Sequence, residues 1–222
     1  QHRFQLDQVL DIFDIKPDYD LNIMKSNQDL FDISSKVLQG LKKILIQEQP
    51  DIVIVQGDTT TAFIAGLAAY YLKIPIGHIE AGLRTYKKYD PFPEEKNRHL
   101  LSVLADYHFA PTEWSKENLL KENIRNDSIW VTGNTVIDAL YMMLKKQQLL
   151  DIQKHNETYF FERWDIAPDI FSNDRNKLIL VTGHRRENFG EGLENICLAL
   201  KRVAEDQLDT TIIYPVHLNP NV

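Results

Sequence analysis

A single cysteine, Cys197, stands among 222 residues, so no disulfide can form within the chain. That excludes a disulfide-stapled secreted scaffold and fits a reducing, cytoplasmic setting. No apolar run approaches the roughly 18 residues that a membrane span needs, and no signal-peptide pattern opens the sequence. Positive charge is the scarcer sign. Lys and Arg number 25 against 32 Asp and Glu, a formal charge of -7, which disfavours a nucleic-acid or anionic-membrane surface and leaves room only for a local basic pocket. A dinucleotide fingerprint is missing too: Gly190-Glu191-Gly192 lacks the third glycine and follows a charged loop, and no P-loop lysine occurs. Neither an internal repeat nor a low-complexity tract appears. With 43% hydrophobic and 26% charged residues, the chain can bury the core of one large domain, or of one and a half.

The sequence turns on the stretch Val53 to Arg98. A β-branched run from Asp51 to Val55 stops at Gln56-Gly57-Asp58-Thr59-Thr60-Thr61, and an apolar helical pattern begins at once. A short strand, Ile76 to Ile79, then leads to Glu80, Ala81, Gly82 and Arg84. If the two strands are parallel, as a βαβ unit requires, their carboxyl ends share the edge where such sheets bind ligands. Asp58 and Glu80 then face one crevice, and the Pro91-Phe92-Pro93-Glu94-Glu95 turn can bring a third acid there.

Upstream, Leu6, Val9, Leu10 and Phe13 have the spacing of one buried helical face, ended by Pro17. Leu30 to Leu45 predicts a second amphipathic helix, closed before Pro50. Downstream, a helix opened by Pro93, a strand over Tyr107 to Ala110, a helix capped by Thr112 and ending near Asn123, a strand over Ser128 to Val131 and a turn at Thr132 to Thr135 continue the βα alternation. That alternation argues for a doubly wound parallel sheet over residues 1–148. The pattern dissolves over 149–176, which reads as a connector. It resumes over 177–222 with a strand at Lys177 to Val181, a helix over Leu193 to Val203 and a strand at Thr210 to Tyr214, the start of a second α/β domain. Gln1-His2-Arg3 enters a helical pattern without a cap, so the expectation is that residues precede it, and about two strands are too few for an independent second sheet.

Asp58 before three threonines suits a helix N-cap, yet the same geometry suits a ligand hydroxyl or phosphate at a helix N-terminus. Glu80, amid small apolar residues at a strand end, is expected to be partly desolvated, which raises a carboxyl pKa toward acid–base values. Glu94 and Glu95 behind Pro93 read on spacing alone as acids favoured by the helix dipole. His78 and Glu80 have metal-like spacing, but no third ligand stands at a diagnostic distance, so no metal is expected. His184-Arg185-Arg186-Glu187, between a strand and a helix, is the strongest anion-binding signal.

Eight strings carry a resemblance: Gln1-His2-Arg3, Pro17 to Leu21, Gly57 to Thr61, His78 to Thr85, Pro91 to Glu95 with Asn97-Arg98, Thr132 to Leu140, Gly183 to Asn188 and Tyr214 to Pro220. In the same order over nearly the whole chain, they resemble the non-hydrolysing bacterial UDP-N-acetylglucosamine 2-epimerases. Members of that family also have an FGTRPE loop upstream and a TDSGG segment downstream, so both domains are expected to be incomplete here. The resemblance implies a glycosyltransferase-B-like architecture of two Rossmann-like domains, and interconversion of UDP-GlcNAc and UDP-ManNAc by inversion at C2, through UDP elimination to 2-acetamidoglucal and re-addition. It implies no cofactor, no metal and a homodimer. It assigns proton handling to Asp58, Glu80 and Glu94, against the spacing-based reading of Glu94, and places His184 on the diphosphate. Gln1, Arg84, Arg185 and His217 are the expected substrate-binding residues. A hydrolysing epimerase, a UDP-sugar glycosyltransferase and a non-enzymatic UDP-sugar sensor are the alternatives.

Overall fold

The computed structural model describes residues 3–25, 27–149, 177–182 and 191–215. The chain packs into two compact units, Gln1–Leu140 and Tyr141–Val222. The first unit opens with α1 (Arg3–Ile12) and α2 (Leu30–Glu48). Asp29 caps α2 by accepting from the Asp32 backbone N–H at 2.8 Å, and Asp32 completes a capping box. Gln49 turns left-handed at its end, with Pro50 behind it.

Then comes an unbroken βα series: β1 (Val53–Gln56), α3 (Thr60–Tyr71), β2 (Ile76–Ile79), α4 (Glu94–Leu104), β3 (Tyr107–Ala110), α5 (Glu113–Lys121) and β4 (Ile129–Val131). The strands pair in sequence order, β1-β2-β3-β4, all parallel. Crossovers that are right-handed and step in one direction place α3, α4 and α5 on one face of the sheet. Burial follows from that. Val55, Ile76, His78, His108, Ala110 and Ile129 point under the helices and are buried, whereas Ile54, Tyr107 and Trp130 on the opposite face are exposed. Trp130 stacks obliquely on Tyr107 and Phe109 there, each pair with ring centroids 5.9 Å apart.

Helix α3 is apolar nearly all round, as a helix packed between neighbours must be. It lies between α2 and α4, and a Cβ at Gly66 would stand 2.5 Å from a Leu101 methyl. Three clusters form the core, one of them Ile33 and Val37 of α2 with Ile64 of α3. Val55, Ala62, Ala69, Ile76 and Leu101 join α3, α4 and the strands, and Ala81, Ala110, Leu119 and Ile129 seat α5. His108 touches the carbonyls of Ser102 and Ser128, at 2.9 and 3.2 Å, tying α4 to the approach of β4.

Helix α6 (Thr135–Leu149) follows β4, and the division between the two compact units falls within it. The expected connector, 149–176, lies outside the described residues but for Leu149. In the second unit, β5 (Lys177–Leu180) pairs in parallel with β6 (Thr210–Ile213), and α7 (Glu191–Asp206) packs on β6. The fold is α/β, with Rossmann-like parallel pairing in both units.

Candidate active site

Because β1 to β4 are parallel, their following turns line one edge of the sheet. Backbone hydrogen bonds extend the ladder just past the strands: Gly57 N–H donates to Ile79 O at 3.0 Å, Ala81 to Phe109 O at 3.1 Å and Thr132 to Ala110 O at 3.0 Å. Asp58 and Glu80 therefore stand side by side. A Cβ built on Gly57 would lie 3.9 Å from Glu80 Oε2, so the glutamate packs against the turn that presents the aspartate.

Asp58 is not the cap of α3. Thr59 takes that position, its hydroxyl accepting from the Ala62 N–H at 3.2 Å. The Asp58 carboxylate is left for an ion pair with Arg98 of α4. The same helix also grips the turn through Asn97, whose amide donates to Asp58 O at 2.8 Å. Beneath the turn, the buried His78 donates from Nε2 to Gly57 O at 2.9 Å.

Glu80 leaves the strand with φ of +66°, a left-handed conformation that costs a non-glycine residue of order 1 kcal/mol and is concentrated at functional sites. Burial pushes its carboxyl above the ordinary value and the nearby Asp58 charge pushes it further, while Arg98 and a hydrogen bond from Gln56 pull it back. The amide of Gln56 also donates to the Thr135 hydroxyl at 3.1 Å, joining this edge to the start of α6.

Glu94 opens α4, half-buried, four residues before Arg98. Residues four apart share a helix face, so it lies on the side that meets Asp58. Glu95 points inward and is almost fully buried. Its two oxygens accept from the backbone N–H groups of Thr85 and Tyr86 at 3.0 and 2.9 Å, and Arg98 Nη1 lies 3.6 Å away. Burial pushes the Glu95 carboxyl up, but these two hydrogen bonds and the nearby His99 outweigh it and hold it below the usual value.

Arg84 does not join this edge. Its buried guanidinium grips Glu122 with Nε and Nη2, at 2.8 and 2.7 Å, and donates to Ser102 Oγ and Leu83 O. It braces α4 against the end of α5, so the geometry gives no support to the expected substrate contact. Gln1, His184, Arg185 and His217 lie outside the described residues. Sequence reasoning missed Arg98, Asn97 and Glu95. The available signal was the spacing of Glu94, Glu95 and Arg98, which puts both acids within reach of the arginine on one helix.

His78 carries a testable acid dependence. Burial drives its pKa from 6.5 down to about 4, against the Gly57 hydrogen bond, and the neighbouring His108, Arg84 and Arg98 lower it further. The unfolded state protonates first as pH falls, so this stability is complete above pH 6.5 and is lost as pH drops through 4. The loss approaches about 3 kcal/mol. In ring-proton NMR, the His78 signals are expected to stay in the neutral position from pH 7 to 5; a midpoint near 6.5 would refute this burial argument.

Comparison with known proteins agrees with the motifs. The family described as UDP-N-acetylglucosamine 2-epimerase matches residues 1–222. A UDP-N-acetylglucosamine 2-epimerase of Campylobacter jejuni is 56% identical over 100% of this chain and 57% of its own length. The solved structure of the UDP-GlcNAc 2-epimerase from Neisseria meningitidis bound to UDP-GlcNAc superposes with a TM-score of 0.91 at 54% identity, covering 100% of this chain and 57% of that one. The Methanocaldococcus jannaschii UDP-GlcNAc 2-epimerase in complex with UDP-GlcNAc and UDP gives 0.77 at 34% identity, covering 96% and 54%. The chain thus spans a little over half the length of these relatives.

Proposed function

Because the chain belongs to the UDP-N-acetylglucosamine 2-epimerase family, we propose that its full-length protein interconverts UDP-GlcNAc and UDP-ManNAc without net hydrolysis. The observation that carries this reading is the convergence of Asp58 and Glu80 at the carboxyl edge of the parallel sheet, with Arg98 between α4 and the turn. Inversion at C2 needs a proton removed from one sugar face and another delivered to the opposite face. One group takes the C2 proton, the C–H electrons form the C1=C2 bond, and the C1–O bond breaks with its electron pair leaving on UDP. Reversal with protonation from the other side re-forms the C1–O bond in the epimer.

Two carboxyl groups in unlike environments suit such work, since acid and base roles require separated pKa values. Glu80, half-buried with a raised pKa, and Asp58, ion-paired, are the pair. Glu94 is the third member proposed. The departing diphosphate requires cations and helix N-termini, and His184 and Arg185, with Gln1 and His217, are assigned to the nucleotide side. The proposed frame is a glycosyltransferase-B-like pair of Rossmann-like domains in a homodimer.

Proton NMR of UDP-GlcNAc with the full-length protein in deuterated water is the test. Deuterium at C2 together with UDP-ManNAc is the expected result. Free ManNAc and UDP would indicate a hydrolysing epimerase, UDP release dependent on an acceptor sugar would indicate a transferase, and binding without turnover a sensor.

A further inference from the structure

The charged groups around Asp58 are layered. Glu95 lies deepest, its side chain only 1% exposed and fixed by two backbone N–H groups. Arg98 lies above it, with 14% of its side chain exposed, one nitrogen toward Glu95 at 3.6 Å and the other paired with Asp58. Glu80 packs beside the turn, against Gly57. Two carboxyl groups thus hold one guanidinium, whose charge also reaches Glu80, and the arginine is anchored by the more deeply buried of the two.

We propose that Arg98 is a positioning residue for the reaction, orienting Asp58 and setting the charge balance between Asp58 and Glu80, with buried Glu95 as its anchor. The proposal rests on the epimerase reading above. A flexible side chain left alone would let the Asp58 carboxylate sample several rotamers. The ion pair from Arg98 and the Asn97 bond to Asp58 O fix both ends of that residue to one rigid helix. A planar guanidinium can address two carboxylates at once through separate nitrogens, which a lysine ammonium, a point charge on a flexible stem, cannot do equally well. The balance also has a sign. Asp58 disfavours ionisation of Glu80 and Arg98 favours it, with Gln56 supporting Arg98 through its hydrogen bond. Removing the cation leaves the Asp58 charge uncompensated, so Glu80 must hold its proton to a higher pH.

The test uses Arg98→Gln, Arg98→Lys and Glu95→Gln in the full-length protein. In Arg98→Gln, kcat is expected to fall about a hundredfold, the scale of lost acid–base function. The limb of the pH–kcat/KM profile that vanishes in Glu80→Gln should move up by roughly one unit, since a unit is an ordinary effect of one nearby charge. UDP affinity should change little. Arg98→Lys is expected to restore the position of that limb but only part of kcat, and Glu95→Gln to lower kcat about tenfold with a smaller shift. Carbon-13 titration of the Glu80 side-chain carboxyl, identified by its loss in Glu80→Gln, reads the same upward displacement without turnover. If the parent protein fails to place deuterium at C2, the epimerase reading falls, and the carboxyl titration still decides the role of Arg98. An unmoved Glu80 titration in a folded Arg98→Gln protein, or in Arg98→Lys and Glu95→Gln an unchanged kcat with an unshifted profile, would overturn the proposal.

Discussion

Glu80→Gln and Asp58→Asn in the full-length protein are each expected to lower the proposed epimerase turnover by about a hundredfold or more, the usual size of lost general acid–base catalysis, while UDP still binds. Both changes keep the shape of the side chain, so packing against Gly57 and the sheet edge is preserved. What they remove is the ability to take or give a proton at neutral pH. For Glu80 the arrangement is costly to maintain. The backbone sits at φ +66° and the carboxyl is half-buried beside another acid, features that a surface glutamate has no reason to keep. Asn at position 58 should also weaken the ion pair that joins the turn to Arg98, so its effect should equal or exceed that of Glu80→Gln. The measurement is kcat together with deuterium uptake at C2. A variant that exchanges the C2 proton at the parent rate takes its residue out of the proton path, whatever happens to overall turnover.

Local signals in the sequence foretold the elements well because each rests on a short-range rule. β2 and β3 occupy the predicted Ile76 to Ile79 and Tyr107 to Ala110, and Thr112 caps α5 by accepting from the Ser115 N–H at 3.1 Å. The parallel pairing needed for the crevice follows from the crossovers alone. Side-chain destinations were less legible. His78 and Glu80 are two apart, which in a continuing strand would put them on one face. Glu80 instead takes a left-handed turn just past the strand, so His78 goes under the helices while Glu80 remains at the edge. Spacing cannot show that one residue has left the β region. Nor can it show the partners of Arg84 and Asn97, which lie 38 and 39 residues away. The resemblance puts Arg84 at the substrate, and spacing gives no sign of its carboxylate partner, because Glu122 carries no motif. Glu94 and Glu95 illustrate the same limit, since both suit a helix N-terminus and only tertiary packing makes one a buried anchor.

Gly82→Ala is expected to destabilise the protein by at least about 3 kcal/mol, combining a strained left-handed backbone with overpacking. Gly82 has φ of +88°, and an added Cβ would stand 2.2 Å from the Ser115 carbonyl oxygen, 2.8 Å from its carbon and 3.0 Å from Leu119 Cγ. The obstruction is backbone of α5 rather than the end of a flexible side chain, so relief requires the helix to move. Ser115, Asn118 and Leu119 are all buried against this segment, and the Asn118 amide donates to Gly82 O at 3.0 Å. Moving α5 therefore breaks a buried hydrogen bond and opens the cluster of Ala81, Ala110, Leu119 and Ile129. Such a cost is a large part of the 5–15 kcal/mol that holds a typical domain folded. Gly133→Ala supplies the comparison, because Gly133 also has positive φ, +81°, yet nothing described lies within 4 Å of its added Cβ. That variant should lose only about 1 kcal/mol, the backbone part alone. Denaturant unfolding of both full-length variants separates the two contributions. Equal losses would mean that α5 yields freely and that the close contact at Ser115 does not hold Glu80 in place. A larger loss at Gly82, accompanied by reduced turnover in the surviving folded fraction, would connect this contact beneath the sheet edge to the geometry of Glu80, the proposed acid–base residue two positions before it.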